Sequence, residues 1–268
     1  MAGIALRSAA SGLNALNTKL DVIANNIANA NTTGFKASRA NFQDLFYIQR
    51  RLPGVENANG DQRPTGLSVG LGVETSGTQL DFAQGSPIQT GRELDMYIAG
   101  RGFFRVDIED DRGEGVGFTR AGNFTVNSDG DLVLATDAGR LLDPPINIPE
   151  DARNITVSAD GIVGGNVAGN ADFVEFGQIE LVDFINPAGL QQIGENLFIE
   201  SEASGDPLPG DPGTQGLGTI TQGTLESSNV NPTKELIELI QTQRTFEMNS
   251  QVVQAADEAL QQIGQLRR

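Results

Sequence analysis

Leucine or isoleucine recurs every seven residues near the start of the chain, at Leu6, Leu13, Leu20 and Ile27, and three residues after each come Ala9, Leu16, Ile23 and Ala30. This two-position heptad keeps a narrow apolar stripe in line only along an α-helix that winds against another helix. Residues 3–30 are therefore predicted as one helix, about 42 Å long at 1.5 Å per residue, with Gly34 as a left-handed stop just beyond it. The spacing returns near the other end, at Leu239, Phe246, Val253 and Leu260, with Ala256 and Ile263 three residues after the last two. Asn231-Pro232 precedes them as an N-cap and first-turn pair, so a second helix is predicted over 232–265. Two seamed helices at opposite ends most simply pair with each other as an antiparallel coiled coil. The alternative is that each lies on the body of the protein like any amphipathic helix.

Between the helices the period changes. The segments 66–75, 96–108, 117–126, 152–163 and 174–185 are short, rich in β-branched and aromatic residues, and separated by turn signals. Hairpin turns are expected at Ser128-Asp129-Gly130 and Ala159-Asp160-Gly161. Residues 201–218 read as a long exposed loop, and 31–66 as a mixed connector with a short helix near Asn41 to Tyr47. The expected fold is α+β: paired terminal helices with an inserted antiparallel β-rich domain. Its divisions are a first helix (1–30), a connector (31–66), a β domain (67–226) and a closing helical segment (227–268).

Charge follows the same divisions. Residues 1–52 carry a net +4, residues 53–232 a net −20 and residues 233–268 a net −1, which together make the −17 of the whole chain. An acidic body without a basic patch repels nucleic acid and anionic lipid, so neither is expected as a partner. There is no cysteine and no histidine. The commonest general base and the thiolate and imidazole metal ligands are thereby absent, and no cofactor or small-molecule substrate is expected. Arg7 interrupts what would be the apolar core of a cleaved secretory signal, and no stretch approaches the roughly 18 apolar residues of a membrane span.

The remaining chemical candidates are weak. Asn127 to Asp131 (NSDGD) lacks the central glycine and closing glutamate of a calcium loop and reads as a turn. Asp107 to Glu114 reads as a solvated acidic loop. Gly70-Leu71-Gly72 and Gly100-Arg101-Gly102 open no evident helix and read as turns or bulges rather than phosphate loops. A secreted glycan-active enzyme oligomerised by its helices is the alternative of a different class, but the chain has no tryptophan to stack on a sugar.

The first helix is unusual in what it lacks: between Ser8 and Phe35 the only charges are Lys19 and Asp21. A solvated helix face normally carries many charges, so an uncharged one implies neighbours on most sides. In the heptad frame Asn25, Asn26, Asn29 and Asn31 lie off the seam, where amides can bond to other chains without the cost of burying a charge. A protein that assembles with copies of itself through its terminal helices is therefore expected.

ANNIANANTTGFK (24–36), with Asn25, Asn26, Ile27, Asn29, Gly34, Phe35 and Lys36, resembles the amino-terminal signature of the bacterial flagellar axial proteins, the rod and hook family. IAGRGFFRV (98–106), FTRAGNFTVNSDGDLV (118–133), IGENLF (193–198) and the segment 227–261 are similar to that family's successive landmarks, in the same order. Length and the segment 50–73 are most similar to distal rod members, with proximal rod and hook members as the alternatives. The resemblance implies a structural role in the basal body. Such a subunit is exported without a cleaved signal and polymerises helically into a hollow torque-bearing shaft around the export channel. Its partners would be copies of itself, other rod proteins, the hook protein and the surrounding periplasmic and outer-membrane ring proteins. By the same resemblance the seam residues Leu6 to Ala30 and Leu239 to Ile263 line the inner tube, and 31–66 braces neighbouring subunits.

Overall fold

The structure, a computed structural model, describes residues 2–54, 64–108, 115–167 and 173–266. The chain divides into two compact units: Met1–Ala28, Ser38–Gln79 and Asn231–Arg268 form one, Asn29–Ala37 and Leu80–Val230 the other. Residues 67–79, expected with the β domain, thus belong to the helical unit, while 31–37 and 227–230 belong to the β unit.

The helical unit holds α1 (Ala2–Ala28), the strands β1 (Ser38–Asp44), β2 (Tyr47–Arg51), β3 (Leu67–Gly70) and β4 (Val73–Leu80), and α2 (Pro232–Leu266). Asn231 caps α2, its Oδ1 accepting from the Lys234 amide at 3.2 Å, the bond that a first-turn donor needs. The helices run alongside each other in opposite directions. Asn26 bonds Glu235, Lys19 pairs with Glu238 at 3.6 Å, and Gly12 lies against Asn249. The strands form one long bent ribbon, β1 paired with β4 and β2 with β3. At the bend the Leu45 amide donates to Gly72 and the Leu71 amide to Phe46. The helix expected near Asn41 to Tyr47 is absent: the segment is strand on either side of the bend, because partners 23 to 40 residues further on, from the Tyr47 to Gly70 and Arg39 to Gln79 contacts, supply its bonds.

The second unit is β-rich, and its described strands pair antiparallel. Its strands are β5 (Pro87–Gln89), β6 (Met96–Ala99), β7 (Phe103–Asp107), β8 (Val116–Thr119), β9 (Phe124–Val126), β10 (Leu132–Leu134), β11 (Ala152–Val157), β12 (Ile162–Val167), β13 (Phe173–Gln178), β14 (Leu181–Asp183), β15 (Gln191–Gly194), β16 (Leu197–Ile199), β17 (Leu208–Gly210), β18 (Thr219–Gln222) and β19 (Thr224–Glu226). A six-stranded sheet in the order β15-β16-β8-β7-β14-β17 is its centre, beside a three-stranded sheet β11-β12-β13 and the pairs β9-β10, β6-β18 and β5-β19. Alternation along each strand places Phe103, Phe118, Val182 and Phe198 on one face and Phe104, Leu181 and Leu197 on the other, and both faces are buried. The first face is an aromatic cluster, with Phe118 and Phe184 edge to face at 4.8 Å.

Both expected hairpin turns occur, 128–130 joining β9 to β10 and 159–161 joining β11 to β12. Asn127 Oδ1 accepts from the amides of Asp129 and Asp131, so NSDGD is an Asx-type turn. The 201–218 segment is more ordered than its composition implies. Ser204 and Leu217 are buried, and β17 adds an edge strand to β14, because the β-sheet rim supplies partners that local sequence does not encode. Residues 109–114 of the acidic loop lie outside the described residues.

Candidate subunit interface

The α1 residues that meet α2 include Gly12, Lys19 and Asn26, which lie beside the predicted seam. On α1, Ala9 and Ile23 are buried and Leu6, Leu13, Leu16, Leu20 and Ile27 half-buried; on α2, Leu239, Phe246 and Val253 are half-buried. Three residues after each of the last set come Thr242, Asn249 and Ala256. Thr242 is buried and Asn249 meets the backbone of Gly12, so small and polar groups occupy the second seam position. Leu260 is 41% exposed instead of seamed. At 35 residues against 27, α2 overhangs the start of α1 by about 12 Å at 1.5 Å per residue. The Ile263 side chain lies outside the described residues.

Of the asparagines, Asn26 departs from expectation. It is 2% exposed, donates to the Ser38 carbonyl at 2.8 Å and to Glu235 at 3.3 Å, and accepts from the Ser38 amide at 3.0 Å. Its amide is saturated inside the chain and fastens the start of the ribbon and of α2 to the end of α1. Asn25 and Asn31 are exposed, and Asn29 accepts from the Thr32 hydroxyl at 3.1 Å.

The rest of the signature belongs to the β unit. Gly34 has φ +70°, and a Cβ there would sit 2.6 Å from the Ala121 nitrogen, so both conformation and space require glycine. Its amide donates to the Glu226 carbonyl at 2.8 Å. Phe35 is half-buried. Lys36 is wholly buried, 2.7 Å from Glu226 and 2.9 Å from the Ala83 carbonyl. Glu226 Oε1 also accepts from the Gly85 amide at 2.8 Å, while Oε2 faces the buried Arg120 guanidinium at 3.6 Å. Arg120 in turn stands over the Phe103 ring and donates to the Gly100 carbonyl. Burial pulls both Lys36 and Arg120 below their ordinary pKa values, with Glu226 opposing the shift in each. Beside this cluster Asn229 accepts from the Ala37 amide and donates to the carbonyls of Asp81 and Ala83. Segments 34–37, 81–85 and 226–229 are thereby stitched together. Sequence reasoning singled out Lys36 but not Glu226, Arg120 or Asn229, whose partners are up to 192 residues away.

Most of the large apolar side chains left exposed among the described residues are in the helical unit. On α2 they are Leu236, Ile237, Ile240, Met248 and Val252, on the side away from α1, together with Leu260. On the ribbon they are Phe42, Phe46, Tyr47, Ile48, Leu52 and Leu67, with Phe46 at 89%. Such a density of exposed apolar groups marks a protein contact surface. A recess of about 390 Å³ at the ribbon bend is lined by Gln43, Asp44, Leu45, Phe46, Tyr47 and Glu74. Among the described residues there is no cluster of acidic side chains suited to a metal ion, and no helix long and apolar enough to cross a membrane.

Three family models match in chain order. Residues 6–36 match the flagella basal body rod protein model, 97–165 the flagellar hook protein FlgE/F/G D1 domain, and 221–266 the flagellar basal body rod FlgEFG protein C-terminal model. The chain is 46% identical over 255 residues to the flagellar basal-body rod protein FlgG of Agrobacterium fabrum, covering 95% of each. It is 43% identical over 264 residues to that of Caulobacter vibrioides, covering 98% of this chain and 99% of the relative. To that of Bacillus subtilis it is 39% identical over 268 residues, covering 98% of each.

Proposed function

The chain belongs to the flagellar basal-body rod protein family, and from that premise we propose that it is the distal rod subunit, polymerising helically into a hollow shaft that carries torque to the hook. Its role is structural rather than enzymatic, and its place is the flagellar basal body. Export without a cleaved signal, through the channel that the shaft encloses, goes with this reading. So do contacts with other rod proteins, the hook protein and the surrounding ring proteins.

In this reading α1 and α2 pair as an antiparallel coiled coil that lines the inner tube. Leu6, Leu13, Leu16, Leu20, Ile23 and Ile27 meet Leu239, Phe246 and Val253, and Leu260 and Ile263 continue the α2 stripe in sequence. The ribbon braces a neighbouring copy through Phe46 and the apolar groups around it. The carrying observation is the concentration of exposed apolar side chains on α2 and the ribbon, which an isolated monomer leaves in water and a polymer covers. Electron microscopy of concentrated purified protein tests this: tubes are expected from the full chain and none after deletion of residues 2–28. Undiminished assembly of the truncated chain overturns the reading.

A further inference from the structure

The outward faces of α1 and α2 differ in kind. On α1 the exposed side includes Arg7 near its start and then Ala10, Asn14, Asn17, Asp21 and Ala24, a shallow strip of short side chains. On α2 the exposed side carries Ile237, Ile240, Arg244, Met248, Val252 and Glu258, a bulky ridge. Neither strip complements itself, and each faces away from its own partner helix, so one chain cannot bring them together. A second copy of this chain can. We propose that the α2 ridge of one copy seats on the α1 strip of the next, in an antiparallel register that sets Asp21 opposite Arg244 and Arg7 opposite Glu258. This inference rests on the polymeric reading above.

Direction and register follow from the helical polymer proposed above and from the charges of the two strips. Copies related by a rotation about, and a shift along, an axis near the helix direction keep every α1 pointing one way, so an α1-to-α2 contact between copies is antiparallel. Placing Asp21 against Arg244 makes facing residue numbers sum to about 265 by the antiparallel rule that one rise of 1.5 Å is shared by both helices. The same register brings Arg7 to Glu258, Asn17 to Met248, Ala24 to Gln241 and Ala28 to Ile237. A single register thus matches two opposite-charge pairs and sets large side chains against small ones. Among the described residues, none of Arg7, Asp21, Arg244 and Glu258 has an ion-pair partner within the chain, whereas Lys19, the remaining charge of α1, is paired with Glu238. The contact joins two different patches, so it leaves one strip and one ridge free after each addition and propagates as an open helical polymer instead of closing as a dimer.

The chain has no cysteine, which makes cross-linking decisive. In the double variant Ala24→Cys with Gln241→Cys, the two thiols face away from each other within one chain and cannot bridge there. Polymers sedimented from concentrated protein, then oxidised, are expected to give a ladder of covalent trimers and higher multimers on non-reducing gels. Either single variant gives dimers at most. In a second arm, Asp21→Arg should lower sedimentable polymer by about ten-fold, and Arg244→Asp in the same chain should restore most of it, as expected when a charge pair directs association. Helical circular dichroism of the soluble Asp21→Arg protein must match the parent. Polymers that form without multimers beyond dimer, or a charge reversal that rescues nothing, overturn this contact and leave the rod-subunit reading standing. An unmodified chain that stays monomeric at every concentration overturns both.

Discussion

At the scale of single residues, the Lys36, Glu226 and Arg120 cluster sets one carboxylate against two buried cations. Removing the anion and removing one cation are therefore unequal events. Glu226→Gln leaves two buried cations without a counter-ion and is expected to destabilise the β unit by about 3–5 kcal/mol, whereas Lys36→Met leaves Glu226 facing Arg120 and costs less. Urea denaturation followed by circular dichroism ranks them, and the reverse order would contradict the assignment. The lowered pKa of Lys36 has a definite sign. The unfolded chain holds this proton more tightly than the folded one, so stability from this group rises as pH climbs through the folded-state pKa towards 10.5 and falls again on return to neutral. Stability curves of the parent and Lys36→Met at pH 7 and pH 10 should differ in slope in that direction. Gly34→Ala forces an unfavourable backbone region and a contact with Ala121, and is expected to cost about 1–3 kcal/mol.

At the scale of elements, the inward and outward faces of α2 make separable predictions. Phe246→Asp places a charge against α1 and should abolish polymer while also loosening the helix pair, seen as reduced helical signal in the soluble protein. Ile240→Asp alters only the outward face, so the soluble protein should keep its helical signal and lose assembly. Elements whose period is written in adjacent residues were legible in sequence. The heptads locate both helices, and Asp-Gly signals mark the turns of β9-β10 and β11-β12, because burial there repeats over a few residues. What depended on distant partners was not legible. Asn26 looks like a free amide until Glu235 is brought to it across 209 residues, and Asn41 to Tyr47 looks helical until its partner strand pairs with it. Thr242 carries no apolar signal, yet it is among the most buried groups on α2. The outward stripe of Leu236, Ile237 and Ile240 is uncovered only because of where α1 lies, which no local pattern encodes.

At the scale of the whole molecule, the β unit is built from Asn29–Ala37 together with Leu80–Val230. A chain reduced to residues 29–230 keeps every residue of the Lys36, Glu226 and Asn229 cluster and is expected to stay monomeric with an intact β signal. A chain reduced to 80–230 lacks Lys36 and the Gly34 amide, and should melt at least several degrees lower, as a loss of 1 kcal/mol or more implies for a unit of this size. Equal melting of the two would show that the amino-terminal segment contributes nothing to the β unit.

The bond between Lys36 and Glu226 spans 190 residues, and that between Asn26 and Glu235 spans 209. A ribosome must have finished most of the chain before either contact has both its members. Until then neither unit has all of its contacts. Contacts of such separation are slow to find because a long loop must close first. Order of synthesis thus delays these two closures until most of the chain has been made.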